Sequence, residues 1–94
     1  MKNYELMTIG KLDLGEKNAK SLSQNIQENI TSLGGKVDKF DFWGKRKFAY
    51  PINHDTEGFY SVIQFNVDPS SINELKTKLN LENGLVRYLI TAAE

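Results

Sequence analysis

Trp43-Gly44-Lys45-Arg46-Lys47-Phe48-Ala49-Tyr50-Pro51-Ile52-Asn53 sets three adjacent cations directly after a glycine and between aromatic residues. Its upstream neighbour, Lys36 to Phe42, extends the same pattern. Phe40, Phe42, Phe48, Tyr50 and Ile52 share one parity, and Lys39, Asp41, Lys45 and Lys47 share the other. Such alternation predicts one long strand over 36–52 with an apolar and a charged side. Seventeen strand residues would span roughly 57 Å at ~3.4 Å each, so one end must overhang its neighbours or bend at Trp43-Gly44. Gly44 marks a bulge or a close backbone approach. Pro51 has no N–H to give to a neighbour, which puts the strand at a sheet edge. Charges on such a strand also discourage unwanted edge-to-edge pairing.

The polar run Asn53-His54-Asp55-Thr56-Glu57-Gly58 closes a hairpin. Phe59, Ser61, Ile63, Phe65 and Val67 then alternate with Tyr60, Val62, Gln64 and Asn66, which predicts the second arm. On either side of this hairpin the period changes. Ala19, Leu22, Ile26, Ile30 and Leu33 recur at three- and four-residue steps, predicting an amphipathic helix over 16–33. Gly15 supplies its N-cap, Glu16 its first acidic turn, and Gly34-Gly35 its left-handed stop. Asp68-Pro69 opens a second helix, with Ile72, Leu75 and Leu79 as its stripe, ending at about 81. Tyr4 to Ile9, with apolar residues on both faces, predicts an inner strand over 3–10. Leu85 to Thr91 forms the last one, after the breaker Glu82-Asn83-Gly84.

Strand, helix, strand, strand, helix, strand is the ferredoxin-like βαββαβ order of an α+β protein. It predicts a four-stranded antiparallel sheet with two helices on one face. The 94 residues form one domain on this reading, and the sheet's other face is open for binding.

Composition bounds the function. Lysine plus arginine equals aspartate plus glutamate at 12 each, for a formal net charge of zero, so a general polyanion binder is disfavoured and any nucleic-acid contact must use a local patch. No cysteine is present, which removes disulfides and thiolate metal sites and fits a reducing compartment. With His54 the one histidine, a metal site is not expected, nor is any other cofactor. No apolar run reaches the ~18 residues of a membrane span, and the expectation is a soluble cytoplasmic protein.

Lys45, Arg46 and Lys47 are the strongest candidates for a site. Alternate side chains of a strand face opposite ways, so Lys45 and Lys47 share a face and Arg46 takes the other, unless Gly44 shifts the register. Cations so spaced meet successive phosphates, an arginine forks onto a phosphate, and Trp43, Tyr50 and Tyr60 offer stacking surfaces. The plainer reading is a solubilised edge strand with its rings in the core. His54, Asp55 and Glu57 suggest an acid–base group, but a hairpin tip without nucleophile or pocket reads as solvated turn, and no enzyme is expected. Arg87 is either a surface ligand on the uncovered face or a partner to Glu5 on a neighbouring strand.

Taken together, Tyr4-Glu5, Gly34-Gly35-Lys36-Val37, Trp43 to Ile52, Gly58-Phe59-Tyr60 and Val86-Arg87-Tyr88-Leu89 resemble the bacterial small-subunit ribosomal protein S six (S6) family over nearly the whole chain. Phe48 stands where leucine is usual. The resemblance implies a structural component of the small ribosomal subunit, acting in translation. It also implies binding to the central domain of small-subunit ribosomal RNA together with ribosomal protein S eighteen (S18). Carried over residue by residue, it marks Lys2, Tyr4, Lys45, Arg46, Lys47, Tyr50 and Arg87 as RNA- or partner-facing. The free edge around Asp38 to Lys47 is the candidate surface for the protein partner; no membrane or small-molecule substrate is expected. The alternative is a ferredoxin-like regulatory module that dimerises or binds a small ligand.

Overall fold

Two periodicities in the sequence become two layers. The computed structural model describes residues 2–52 and 55–92, with backbone alone over 47–52 and 55–57. Strand β1 (Lys2–Gly10) leads through a 3-10 turn into helix α1 (Gly15–Ser32), followed by β2 (Lys36–Ile52) and β3 (Asp55–Val67). Helix α2 (Ile72–Asn80) and β4 (Leu85–Ala92) complete the chain. The sheet order is β2-β3-β1-β4, and every described pairing is antiparallel. That is the ferredoxin-like arrangement, with β1 inside the sheet and β2 at an edge, as the apolar faces of one and Pro51 of the other require.

Register assigns the faces. Tyr4, Leu6 and Thr8 lie opposite Phe65, Ile63 and Ser61, and these rows lie beneath the helices. Leu6, Ile63, Phe65 and Val67 form the core with Ile26 and Ile30 of α1 and Leu75 and Leu79 of α2. Fully burying such side chains contributes about 1.5–3 kcal/mol each, which is why α1 and α2 both lie on this face. Within the core Thr8 and Ser23 each share a hydrogen bond with Ser61, so three buried hydroxyls satisfy one another.

The helix ends follow their local chemistry. Gly15, expected as the N-cap, is instead the first residue of α1 and closes the 3-10 turn at φ +79 and ψ 162, a pose that suits glycine alone; the cap residue is Leu14, without a side-chain cap. At the other end the Gly34 N–H donates to Thr31 O at 3.0 Å and the Gly35 N–H to Ile30 O at 3.0 Å. This is a Schellman stop with Gly34 in the left-handed region at φ +85. A side chain at Gly35 would meet the Asn66 carbonyl oxygen at 2.8 Å, so the turn sits directly on β3. Before α2, the Asp68 carboxylate accepts hydrogen bonds from the Ser70 N–H at 3.0 Å and the Ser70 hydroxyl at 2.9 Å. Pro69 begins a single 3-10 turn (Pro69–Ser71) that runs on into α2, so the α-helix starts a turn later than Pro69.

The hairpin differs most from its sequence expectation. β3 begins at Asp55 rather than at Phe59, and Ile52 pairs with Asp55. Asn53 and His54, between them, lie outside the described residues, as do the side chains of Asp55 and Glu57. β1 reaches β3 only as far as Phe59, so the paired residues from Arg46 and Gly58 outward overhang the sheet.

Candidate nucleic-acid interface

β2 carries the proposed site, and its ladder to β3 is interrupted at three places. The interruption that matters lies between Phe42 and Gly44: Phe42 pairs with Ser61 and Gly44 with Tyr60, leaving Trp43 as the extra residue. Gly44 adopts φ +78, which only glycine takes at little cost. One added residue inverts every later side chain. Lys45 therefore pairs with Phe59, on the helix-covered side, and not on the face of Lys39 and Asp41 where simple alternation puts it. This corrects the parity of Lys45. Arg46, opposite Gly58, takes the uncovered face. Lys47 pairs with Glu57 through the backbone, but the side chains of Lys47 and Tyr50 lie outside the described residues.

On the uncovered face the strands line up in rows. One row reads Gly44, Tyr60, Ile9, Arg87 and the next along β2 begins at Arg46. Arg46 and Arg87 thus stand near opposite edges, three strand spacings or roughly 14 Å apart across the strands and one row, about 7 Å, apart along them, with Tyr60 on a strand between them. Arg87 does not lie across from Glu5: its neighbour on β1 is Ile9, while Glu5 faces Thr91. Its surface placement is the alternative that holds.

Lys2 and Tyr4 lie elsewhere. Lys2 pairs with Val67, eight residues and roughly 27 Å from the Gly10 end of β1. The Tyr4 ring stacks on Phe65 at 5.7 Å between centroids and packs against the core, on the helix side. The predicted residues therefore fall into two groups at opposite ends of the sheet: Lys45, Arg46 and Arg87 at one, Lys2 and Tyr4 at the other.

Two further features belong with the first group: Trp43, which the sequence offers as a stacking surface, and a contact of Lys20 that the sequence reading did not single out. Trp43, pushed out by the bulge, is 47% exposed. On the helix-covered side the Lys20 Nζ lies 5.5 Å from the centre of the Phe42 ring, and Phe42 stacks on Phe59 at 6.3 Å. Aromatic faces attract cations in this geometry. Among the described residues no cluster of histidine and carboxylates suits a metal ion, and no helix is long and apolar enough to cross a membrane.

The family model for ribosomal protein S6 matches residues 3–92. The chain belongs to the ribosomal protein S6 family. It is 46% identical over 90 residues to the small ribosomal subunit protein bS6 of Symbiobacterium thermophilum, covering 96% of this chain and 95% of that one. The corresponding protein of Dictyoglomus turgidum is 40% identical over 94 residues, which is 100% of this chain and 97% of the relative. The crystal structure of 30S ribosomal protein S6 from Thermotoga maritima superposes with a TM-score of 0.91 at 30% identity, covering 98% of this chain and 87% of that chain. A likeness to the C-terminal domain of the MgtC protein from Mycobacterium tuberculosis, at 14% identity and TM-score 0.65, shows the shared fold alone. S6 proteins are non-catalytic components of the small ribosomal subunit, placed on the ribosome in the cytoplasm, and association with ribosomal RNA follows from membership. Within the S6 segment from Trp43 to Ile52, the bulge separates the aromatic start from the cations.

Proposed function

We propose that this chain, as one domain over residues 1–94, is a structural constituent of the small ribosomal subunit that binds the central domain of small-subunit ribosomal RNA together with S18. The observation that carries the reading is the family match over residues 3–92. Lys2, Tyr4, Lys45, Arg46, Lys47, Tyr50 and Arg87 are the proposed RNA- or partner-facing residues. Arg46 and Arg87 on the uncovered face contact phosphates, and Tyr60 between them offers a ring for a base. The outer edge of β2, around Asp38 to Lys47, docks the protein partner, because an edge strand presents unpaired backbone groups.

Zero net charge fits this division of labour. A neutral protein gains little from long-range attraction to RNA, so a second protein must supply part of the phosphate neutralisation. The test is binding of the full chain with S18 to a central-domain transcript across a salt series. Affinity should fall with a slope of roughly 0.7–0.9 per phosphate contacted in a log–log plot. Replacing Lys45, Arg46 and Lys47 together by alanine should weaken binding with little change in thermal stability. Unchanged affinity in that variant would remove the site from the basic segment, and absence of binding by the wild-type pair would remove the function.

A further inference from the structure

The charge on this neutral chain is unevenly placed. β1 ends, α1 begins and β4 begins at the end of the sheet where the bulge lies. Among residues whose side chains are described, Lys11, Lys17, Lys20, Lys45, Arg46 and Arg87 belong to that end, against the carboxylates of Asp13, Glu16 and Glu82; by backbone position Lys47, Asp55 and Glu57 belong there too. The six cations with described side chains are exposed. At the opposite end Glu28, Asp38, Asp68 and Glu74 offset Lys2 and Lys36. The formal sum is zero, but the bulge end is a basic surface.

Within that surface one pairing comes from distant parts of the chain. Phe42 and Phe59 stack; Lys20 lies over Phe42, and Lys45 pairs with Phe59 in the ladder. A lysine from the second turn of α1 and one from β2 therefore flank a single stacked ring pair. We propose that Lys20 and Lys45 together form a phosphate-binding site on the helix-covered side of the β2 edge, so that the RNA contacts both faces of that edge, with Arg46 on the other.

Three observations converge on RNA as the occupant. The Phe42 ring holds the Lys20 ammonium at the edge rather than leaving it to sweep through solvent, which lowers the entropy lost on binding. Lys17, one turn earlier, extends the positive charge along α1. The bulge also divides the β2 edge. Lys39 to Phe42 remains an unbroken stretch for a strand-like partner, whereas Lys45 to Lys47 is basic.

This inference rests on the ribosomal reading, and the experiment separates the two. Binding of the full chain with S18 to a central-domain ribosomal RNA transcript is measured across a salt series for wild type, Lys20→Gln, Lys20→Arg, Lys45→Gln and Arg46→Gln, with Lys76→Gln on α2 as control. Lys20→Gln is expected to reduce the log–log salt slope by roughly 0.7–0.9, the value for one phosphate. Lys20→Arg, which keeps the charge and the ring contact, should restore the slope, and Lys76→Gln should match wild type. Thermal melting of each variant shows whether any change is structural; a Lys20→Gln protein that melts as wild type but loses slope supports the site. If Lys20→Gln keeps the wild-type slope and affinity while Arg46→Gln weakens binding, the helix-side site is refuted and the ribosomal reading stands. If the wild-type pair does not bind the transcript at any salt, both fall.

Discussion

Gly44→Ala isolates the backbone conformation on which the arrangement of cations depends. Gly44 holds φ +78, and a Cβ there would meet nothing closer than the Phe42 Cε2 at 3.9 Å. Steric collision is therefore absent, and the cost is conformational. Forcing an L side chain into the left-handed region costs about 1–2 kcal/mol. The loss of unfolded-state freedom when glycine becomes alanine returns about 0.4–1 kcal/mol. The net destabilisation should be about 1 kcal/mol, which for a domain of this size lowers the melting temperature by about 4–8 °C. Asparagine visits the left-handed region more readily, so Gly44→Asn should lose less than Gly44→Ala. Urea unfolding followed both by far-UV circular dichroism and by the fluorescence of Trp43, the single tryptophan, reads both variants. An unchanged alanine midpoint would mean that the bulge does not need the left-handed pose. A loss well above 3 kcal/mol would mean that the added methyl meets packed atoms, contrary to the open space beside Gly44.

Ile63→Ala, at a position with no exposed surface, should destabilise by about 2–5 kcal/mol in denaturant titration, with a smaller loss expected if the core collapses around it. Ser61→Ala removes the hydroxyl shared by Thr8 and Ser23 and should cost about 1–3 kcal/mol by leaving buried groups unpaired. Replacing all three with Thr8→Val, Ser23→Ala and Ser61→Ala should be much closer to neutral; equal losses in both variants would contradict the shared network. The Asp68 carboxyl is held below its ordinary pKa because it accepts hydrogen bonds from the Ser70 backbone and hydroxyl. A depressed folded-state pKa contributes stability above the unfolded value of about 3.9, and that contribution is lost as pH falls through the folded value. Asp68→Ala should therefore melt below wild type at neutral pH and converge with it in acid.

The fold was legible because its elements announce themselves locally. Ala19 to Leu33 has a helix period, Phe59 to Val67 a strand period, and Asp68-Pro69 a helix start, and none depends on knowing the rest of the chain. The site was less legible for a reason that is also local. Period-two reading counts residues, and a bulge adds one without changing the composition, so Lys45 was placed with Lys39 although it lies opposite Phe59. Gly44 was the available signal, and it raised the possibility of a shift without fixing its direction. Lys20 was invisible for a different reason. An exposed lysine on a helix is the ordinary solubilising residue, and only the packing of α1 against β2 sets it over Phe42. The Arg87–Glu5 alternative turned on the β1–β4 register, which no pattern within either strand specifies.

The three buried hydroxyls bear on this surface as well. Apolar side chains tolerate sliding, since one methyl packs nearly as well as the next, whereas Ser23 satisfies its hydrogen bond only where Ser61 lies. A slip of α1 by one turn would move Ser23 about 5.4 Å along the sheet and strand its hydroxyl in the core. The same slip would carry Lys20 away from Phe42. A contact at the centre of the molecule thus acts as a locating pin, fixing where along β2 the helix delivers its charge.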